Sequence, residues 1–130
     1  MQEKLSELKN IITDLVYISE TDSAWEAFDL GGSKSVSEKK VKAAADRANS
    51  KVVTTEDAEK FFAHLTEMKD HFGAAERKAA KKYAELYAYL SKNLSGLKII
   101  KVGDIRKDIF AVGIDERGHL TGVKTYAVET

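Results

Sequence analysis

The sequence predicts a mixed α+β chain in which a mainly antiparallel sheet carries helices on both faces, a three-layer αβα sandwich. Three observations carry that reading. Apolar residues recur every three or four positions in Gln2 to Leu15 and again in Ala74 to Leu94, the spacing of one helical face. After Gly96 the period changes to that of strands, in KIIKVG, DIFAVGID and LTGVKTYAV. In DIFAVGI both faces are apolar, with Phe110, Val112 and Ile114 on one and Ile109 and Ala111 on the other. A strand of that kind belongs in the middle of a sheet covered on both sides.

The elements follow in order. Leu5, Leu8, Ile11, Ile12 and Leu15 form the stripe of a first helix. LVYIS and AWEAFDL, rich in aromatic and β-branched residues, predict two short extended pieces before Gly31-Gly32-Ser33 breaks the pattern. Ser37 suits an N-cap for EKKVKAAADRA, a short helix whose weak apolar face makes it peripheral. KVVTTEDAEKFFAHLT reads as an extended piece and then a helix capped by Thr55, with Phe61, Phe62 and Leu65 inward. EMKDHFG is a loop closed by Gly73. The long helix that follows has the stripe Ala75, Ala79, Tyr83, Leu86, Tyr87, Leu90 and Leu94 and stops at Gly96. The long helix is expected on one face of the sheet and the first helix on the other. ERGH, with Gly118, is the turn of a hairpin between the last two strands.

At 130 residues and 43% apolar composition, the chain suits one domain over residues 1–130 with a single core. It has no cysteine, hence no disulfide framework and no thiolate metal site. Twenty-one basic and 21 acidic side chains cancel, so no global field favours nucleic acid or a membrane surface. No apolar run approaches the roughly 18 residues of a spanning helix. MQEKLSELKNIITDL places charges where a signal peptide needs an apolar stretch, so a cytoplasmic protein is expected. A chain whose leader had been removed would read the same way.

The residues that could carry chemistry are few. His64, His71 and His119 have no partners at metal-ligand spacing, and surface or loop histidines account for them. DERGH, Asp115 to His119, is close to the Asp-Arg-Gly-His motif of ββα-metal nucleases, but the extra glutamate breaks the register and the turn reading is preferred. Gly31-Gly32 lacks the spacing of a phosphate cradle. Lys34, Lys39, Lys40 and Lys42, interleaved with Glu38 and Asp46, suit a solvated helix face better than a binding patch. No catalytic residue and no cofactor are indicated, and the chain is not expected to be an enzyme.

The ending YAVET is unusual: a strand runs almost to the last residue and stops on an acid and a hydroxyl. Together with LVYISETDSAWEAF, KVVTTEDAEKFF and the helix ending LSKNL, the terminal stretch DIFAVGIDERGHLTGVKTYAVET resembles the nuclease A inhibitor family, bacterial proteins that block a sugar-non-specific nuclease. The likeness covers most of the chain and is weakest from Gly31 to Ser50.

The resemblance implies an αβα sandwich like that of plant pathogenesis-related protein 1. It implies an inhibitor that pushes its C-terminal threonine into the nuclease cleft and engages the catalytic magnesium there. It also implies an acid from the loop after the first helix, facing basic groups of the nuclease, and an Asp-Trp pair from a second loop. Carried over by position, these are Thr130, with Glu129 at the same tip, then Glu20, and Asp70-His71. The partner is a sugar-non-specific metal-dependent nuclease; no direct nucleic acid, membrane or metal is implied for the free chain, which is expected to be a monomer. His71 departs from the family's tryptophan, with Phe72 beside it as a partial substitute. Loss of a large aromatic anchor lowers affinity or shifts the partner. Neutral overall charge is a second departure, since a basic cleft favours an acidic inhibitor. Segregation of Glu20, Asp22, Glu26, Asp70 and Glu129 on one edge, with the lysines elsewhere, would reconcile the two.

A second class stays open: a small-molecule or lipid-binding module on the same scaffold, suggested by that fold likeness and by Tyr83, Tyr87 and Tyr89. Tyr83 and Tyr87 also suit the core, with Tyr89 exposed.

Overall fold

The structure, a computed structural model, describes residues 2–13, 15–18, 22–45, 53–67 and 73–128. Among these residues, four helices and seven strands follow in the order α1 (Gln2–Ile12), β1 (Val16–Ile18), β2 (Asp22–Ala24), β3 (Glu26–Gly32), α2 (Glu38–Ala44), β4 (Val53–Asp57), α3 (Ala58–Thr66), α4 (Ala74–Asn93), β5 (Ser95–Gly103), β6 (Arg106–Ile114) and β7 (His119–Val128). Five strands form an antiparallel sheet in the order β3-β7-β6-β5-β4, and β1 and β2 form a separate hairpin.

The two-faced strand predicted at DIFAVGI is β6, the middle of the five, with residues 108–113 buried. Its alternation divides the core. Ile109 and Ala111 join Ile99, Val123 and Ala127 under Leu8 and Ile12 of α1, Phe61 and Phe62 of α3, and Tyr83, Leu86 and Leu90 of α4. Phe110 and Val112 join Phe28, Ile100, Val102 and Leu120 under Val41 of α2 and Ala45 just beyond it.

This division corrects two expectations. The first helix does not lie opposite the long one; α1 packs beside α4 on the same face. Its apolar stripe states that a face is buried, not which side of the sheet buries it. The short helix is not peripheral, because Val41 is fully buried and caps the second cluster. The sheet supplies most of that cluster's bulk, and Val41, Ala45 and the partly buried Val36 pack on it. The sheet is also wider than its last three strands: β3 and β4, read from sequence only as short extended pieces, form its two edges.

Helix boundaries follow local chemistry. Ser37 Oγ accepts from Lys40 N at 3.3 Å, the predicted cap of α2. α3 is capped by Asp57 rather than Thr55, with Asp57 Oδ1 accepting from Glu59 N at 2.9 Å. Thr55 instead sits in β4 opposite Ile100 and donates its hydroxyl to Glu38. α4 opens at Gly73, whose N–H donates to Glu76 Oε2 at 3.3 Å, and ends at Asn93. Gly96 is not the stop; it lies inside β5 with φ of +65°, where the register with β6 shifts. The stripe of α4 also drifts, so that Ala80 is buried and Ala75 exposed. Tyr89 is half-buried, not exposed, and its hydroxyl meets Glu7 Oε2 at 3.2 Å. Among the described residues, no helix is long and apolar enough to cross a membrane.

Candidate functional site at the C-terminal end of β7

The five residues singled out by the resemblance, Glu20, Asp70, His71, Glu129 and Thr130, all lie outside the described residues. The described residues beside them lie toward the end of the sheet at which β7 finishes. β1 and β2 pair antiparallel with Ile18 opposite Asp22, so residues 19–21 join two paired ends. β7 is hydrogen-bonded to β6 through Val128, opposite Arg106, immediately before the last two residues. The hairpin lies against that same end of β7, where Thr125 Oγ1 donates to the Ala24 carbonyl at 2.9 Å.

The direction of α4 brings the third flank to this end. Its C-terminal cap residue, Leu94, packs against Gly113, which pairs with Thr121 near the start of β7. Eleven residues earlier, Tyr83 reaches Trp25 and the Val16 carbonyl. α4 therefore runs antiparallel to β7, and Ala74 lies about 13 Å beyond Tyr83, toward the C-terminal end of β7, at 1.5 Å per helical residue.

Trp25 and Tyr83 lock the hairpin to the core. Trp25 Nε1 donates to Tyr83 Oη at 2.9 Å, and Tyr83 Oη donates to the Val16 carbonyl at 2.9 Å. Burial pushes the Tyr83 phenol up to about 12, partly opposed by the hydrogen bond from Trp25. Tyr17 stacks on Phe61 at 6.0 Å, a second tie between β1 and the helical layer.

A cleft of about 380 Å³ opens beside this end, between β2 and the sheet. Val41 and Ala45 cover Phe110, Val112 and Leu120, but the same face continues past them through Asp108 and Arg106 of β6 and Lys124 and Tyr126 of β7. Asp22, Ser23 and Glu26 form the other wall. The Arg106 guanidinium stacks over the Tyr126 ring at 4.3 Å. Among the described residues, Ser23 Oγ and Arg106 Nε are buried polar atoms without a hydrogen-bond partner.

Two of the acids expected to share an edge, Asp22 and Glu26, do line this cleft, but the cations are not segregated from them: Arg106 and Lys124 line it too. Arg106 was not apparent as a site residue in the sequence. Its signal is the alternation in RKDIF, which puts Arg106 and Asp108 on the face whose next member is buried Phe110.

The DERGH stretch is a hairpin, not a catalytic loop. Asp115 N donates to the His119 carbonyl and Gly118 N to the Asp115 carbonyl, each at 2.9 Å, with Gly118 at φ of +79°. Arg117 bridges Asp115 at 2.8 Å and Asp29 of β3 at 2.7 Å, and His119 Nδ1 lies 3.2 Å from Asp29. Partial burial raises the Asp29 carboxyl, but hydrogen bonds from Gly31 N, His119 and Arg117 outweigh it and hold it below the ordinary range. Asp115, Arg117 and His119 are thus spent on closing a turn against the edge strand. Of the basic residues in and before α2, Lys34 and Lys39 are exposed, and Lys40 Nζ donates to the Gly32 carbonyl at 2.9 Å.

A second, open groove of about 640 Å³ runs between α1 and β3, floored by Ile12, Leu15 and Trp25 and rimmed by Lys9, Glu26 and Lys124. Tyr83, Tyr87 and Tyr89, which suggested a ligand-binding module, line neither this groove nor the cleft. They are occupied with Trp25, Phe62 and Glu7 respectively.

No curated protein sequence matches the chain. The family model described as Nuclease A inhibitor-like protein matches residues 2–130, nearly the whole chain, from α1 through β7 and its last two residues. The chain belongs to the nuclease A inhibitor-like protein family.

Proposed function

We propose that this chain is a non-enzymatic inhibitor of a sugar-non-specific ββα-metal nuclease, and that its C-terminal Thr130 plugs the enzyme's active site near the catalytic magnesium. The family membership supports an inhibitor, and the observation that carries the plug is the path of β7. That strand is hydrogen-bonded into the sheet through Val128, so only two residues separate a rigid ladder from the chain end.

The chemistry of such a tip fits the target. Magnesium takes oxygen ligands and keeps exchangeable positions filled by water. A C-terminal threonine offers a carboxylate and a hydroxyl on one residue, narrow enough for a cleft built to admit a nucleic-acid strand. Holding it on a fixed strand reduces the entropy lost on docking. Glu20, on the β1–β2 connection, then faces basic groups of the nuclease, and Asp70-His71, between α3 and α4, supplies a further contact. The sandwich arrangement of the pathogenesis-related proteins serves as the rigid carrier of these three segments.

The test is a dose-response of inhibition against ββα-metal nucleases in magnesium buffer. Deleting Thr130, or appending a C-terminal tag, is expected to weaken inhibition by at least about 10-fold with unchanged circular dichroism. Thr130→Val separates the hydroxyl from the carboxylate. Equal inhibition by tagged and untagged protein refutes the plug.

A further inference from the structure

We propose that the cleft beside the end of β7 is a second anchoring site for the inhibited nuclease, in which Arg106 receives a carboxylate of that enzyme. The proposal rests on the inhibitor reading above and adds a contact that the resemblance does not assign.

Arg106 is positioned by its neighbours. The Tyr126 ring fixes its guanidinium plane at 4.3 Å. It makes no ion pair among the described residues, and its Nε is buried without an acceptor. Ser23, in the opposite wall, is 2% exposed and its hydroxyl is also unpartnered. Buried polar groups without partners are uncommon, because their desolvation is not offset. A carboxylate entering the cleft supplies acceptors for the guanidinium fork, and Lys124, which also lines it, adds a second cation.

The wall also selects among anions. Asp22, Glu26 and Asp108 place acids around the two cations. These acids outnumber the two cations, so a doubly charged phosphate, or the closely spaced charges of a nucleic-acid backbone, is disfavoured more than a single carboxylate. Beside Arg106, at the turn between β5 and β6, Ile105 is an exposed apolar side chain (57%). An arginine, a tyrosine and an exposed isoleucine together are the composition of a protein anchor. The position suits the same partner, since Arg106 pairs directly with Val128, immediately before the proposed plug.

The experiment measures inhibition and equilibrium binding of the full chain with a ββα-metal nuclease that the wild-type chain inhibits. Arg106→Gln is expected to weaken binding by roughly 10- to 100-fold, and the loss should shrink as salt is raised. Arg106→Lys keeps the charge but not the planar fork, and is expected to recover only part. Ile105→Ser is expected to weaken binding further, while Tyr126→Phe, which keeps the stacking ring, should be near wild type. Should Arg106→Gln fail to fold, Arg106→Lys and Ile105→Ser decide the matter. Inhibition by wild type with Arg106→Gln within twofold of it overturns the anchor and leaves the plug intact. Full recovery by Arg106→Lys overturns the guanidinium recognition. Saturable binding of free glutamate to the isolated chain, lost in Arg106→Gln, assigns the cleft to small acids and overturns the docking role. If the wild-type chain inhibits no ββα-metal nuclease, the inhibitor reading and this anchor fall together.

Discussion

Replacing Tyr83 by Phe removes one oxygen and breaks two hydrogen bonds at once. The Tyr83 hydroxyl accepts from Trp25 Nε1 and donates to the Val16 carbonyl, both at 2.9 Å. The two lost partners fare differently. Val16 is 41% exposed, so its carbonyl can turn to water at little cost. Trp25 is 4% exposed, so its indole N–H is left buried without an acceptor, a loss of roughly 1–3 kcal/mol. The edge-on ring contact with Trp25, at 6.2 Å between centroids, survives in the phenylalanine. The expected destabilisation is therefore about 2 kcal/mol, or a fall in Tm of several degrees. Trp25 is the only tryptophan, so its fluorescence reports both the equilibrium unfolding and the local change. Because the bonds tie β1 to α4, hydrogen exchange should quicken in β1 and β2 more than in β6. Adding Trp25→Phe removes the orphaned donor, so the double variant should lose less than the sum of the single losses. A change below about 0.5 kcal/mol for Tyr83→Phe, or strict additivity, would refute the relay. The same phenol gives a pH signature. Its value is raised from 10.0 to about 12, so this stability is complete below pH 10 and is lost as pH climbs through 12; Tyr83→Phe should flatten the alkaline limb of the stability curve.

Gly122 in β7 leaves no room for a side chain, since a Cβ there would fall 1.9 Å from the Ala111 carbonyl oxygen. Gly122→Ala is expected to cost at least about 3 kcal/mol or prevent folding, checked by denaturant unfolding. At the far hairpin, Asp29 and Asp115 are held below their ordinary value of 3.8. For Asp115, burial is again outweighed, here by hydrogen bonds from the Arg117 side chain and the amides of His119 and Arg117. A depressed carboxyl stabilises the fold above its unfolded value and loses that contribution as pH falls below it. Stability should therefore drop on acidification below about pH 4, and Asp29→Asn should weaken that dependence; an unchanged acid limb in chemical denaturation would contradict the pairing. Glu20→Ala is expected to reduce inhibition with the fold intact, measured by the dose-response used for Thr130.

How far the sequence was legible depended on whether the answer lay within one element. The two-faced apolar run at Ile109 to Ile114 identified a central strand because alternation alone decides it. The ERGH turn was likewise local, decided by Gly118 at positive φ. The placement of α1 was not legible, because Leu8 and Ile12 pack against residues of α4 that lie far along the chain. The importance of Val41 was hidden for a related reason: the partners that make it a core residue come from β3, β5, β6 and β7. Glu20 and Thr130 were reached through likeness to a family, and Arg106 through neither route. An arginine at the start of a strand carries no distinguishing mark until the ring beneath it and the gap beside it are seen.

The ladder that holds β7 has a mechanical consequence. β7 is registered against β6 at nine residue pairs, from Ile114–Leu120 to Arg106–Val128, and against β3 at five more. Traction applied to the C-terminus pulls along the axis of this strand. Its hydrogen bonds lie across that axis and share the load in shear, instead of opening one after another as they would if an edge were peeled. A processive unfoldase that grips this end of the chain meets its stiffest obstacle first. A pull on β7 therefore meets more resistance than a pull on α1, which can be withdrawn without parting the sheet.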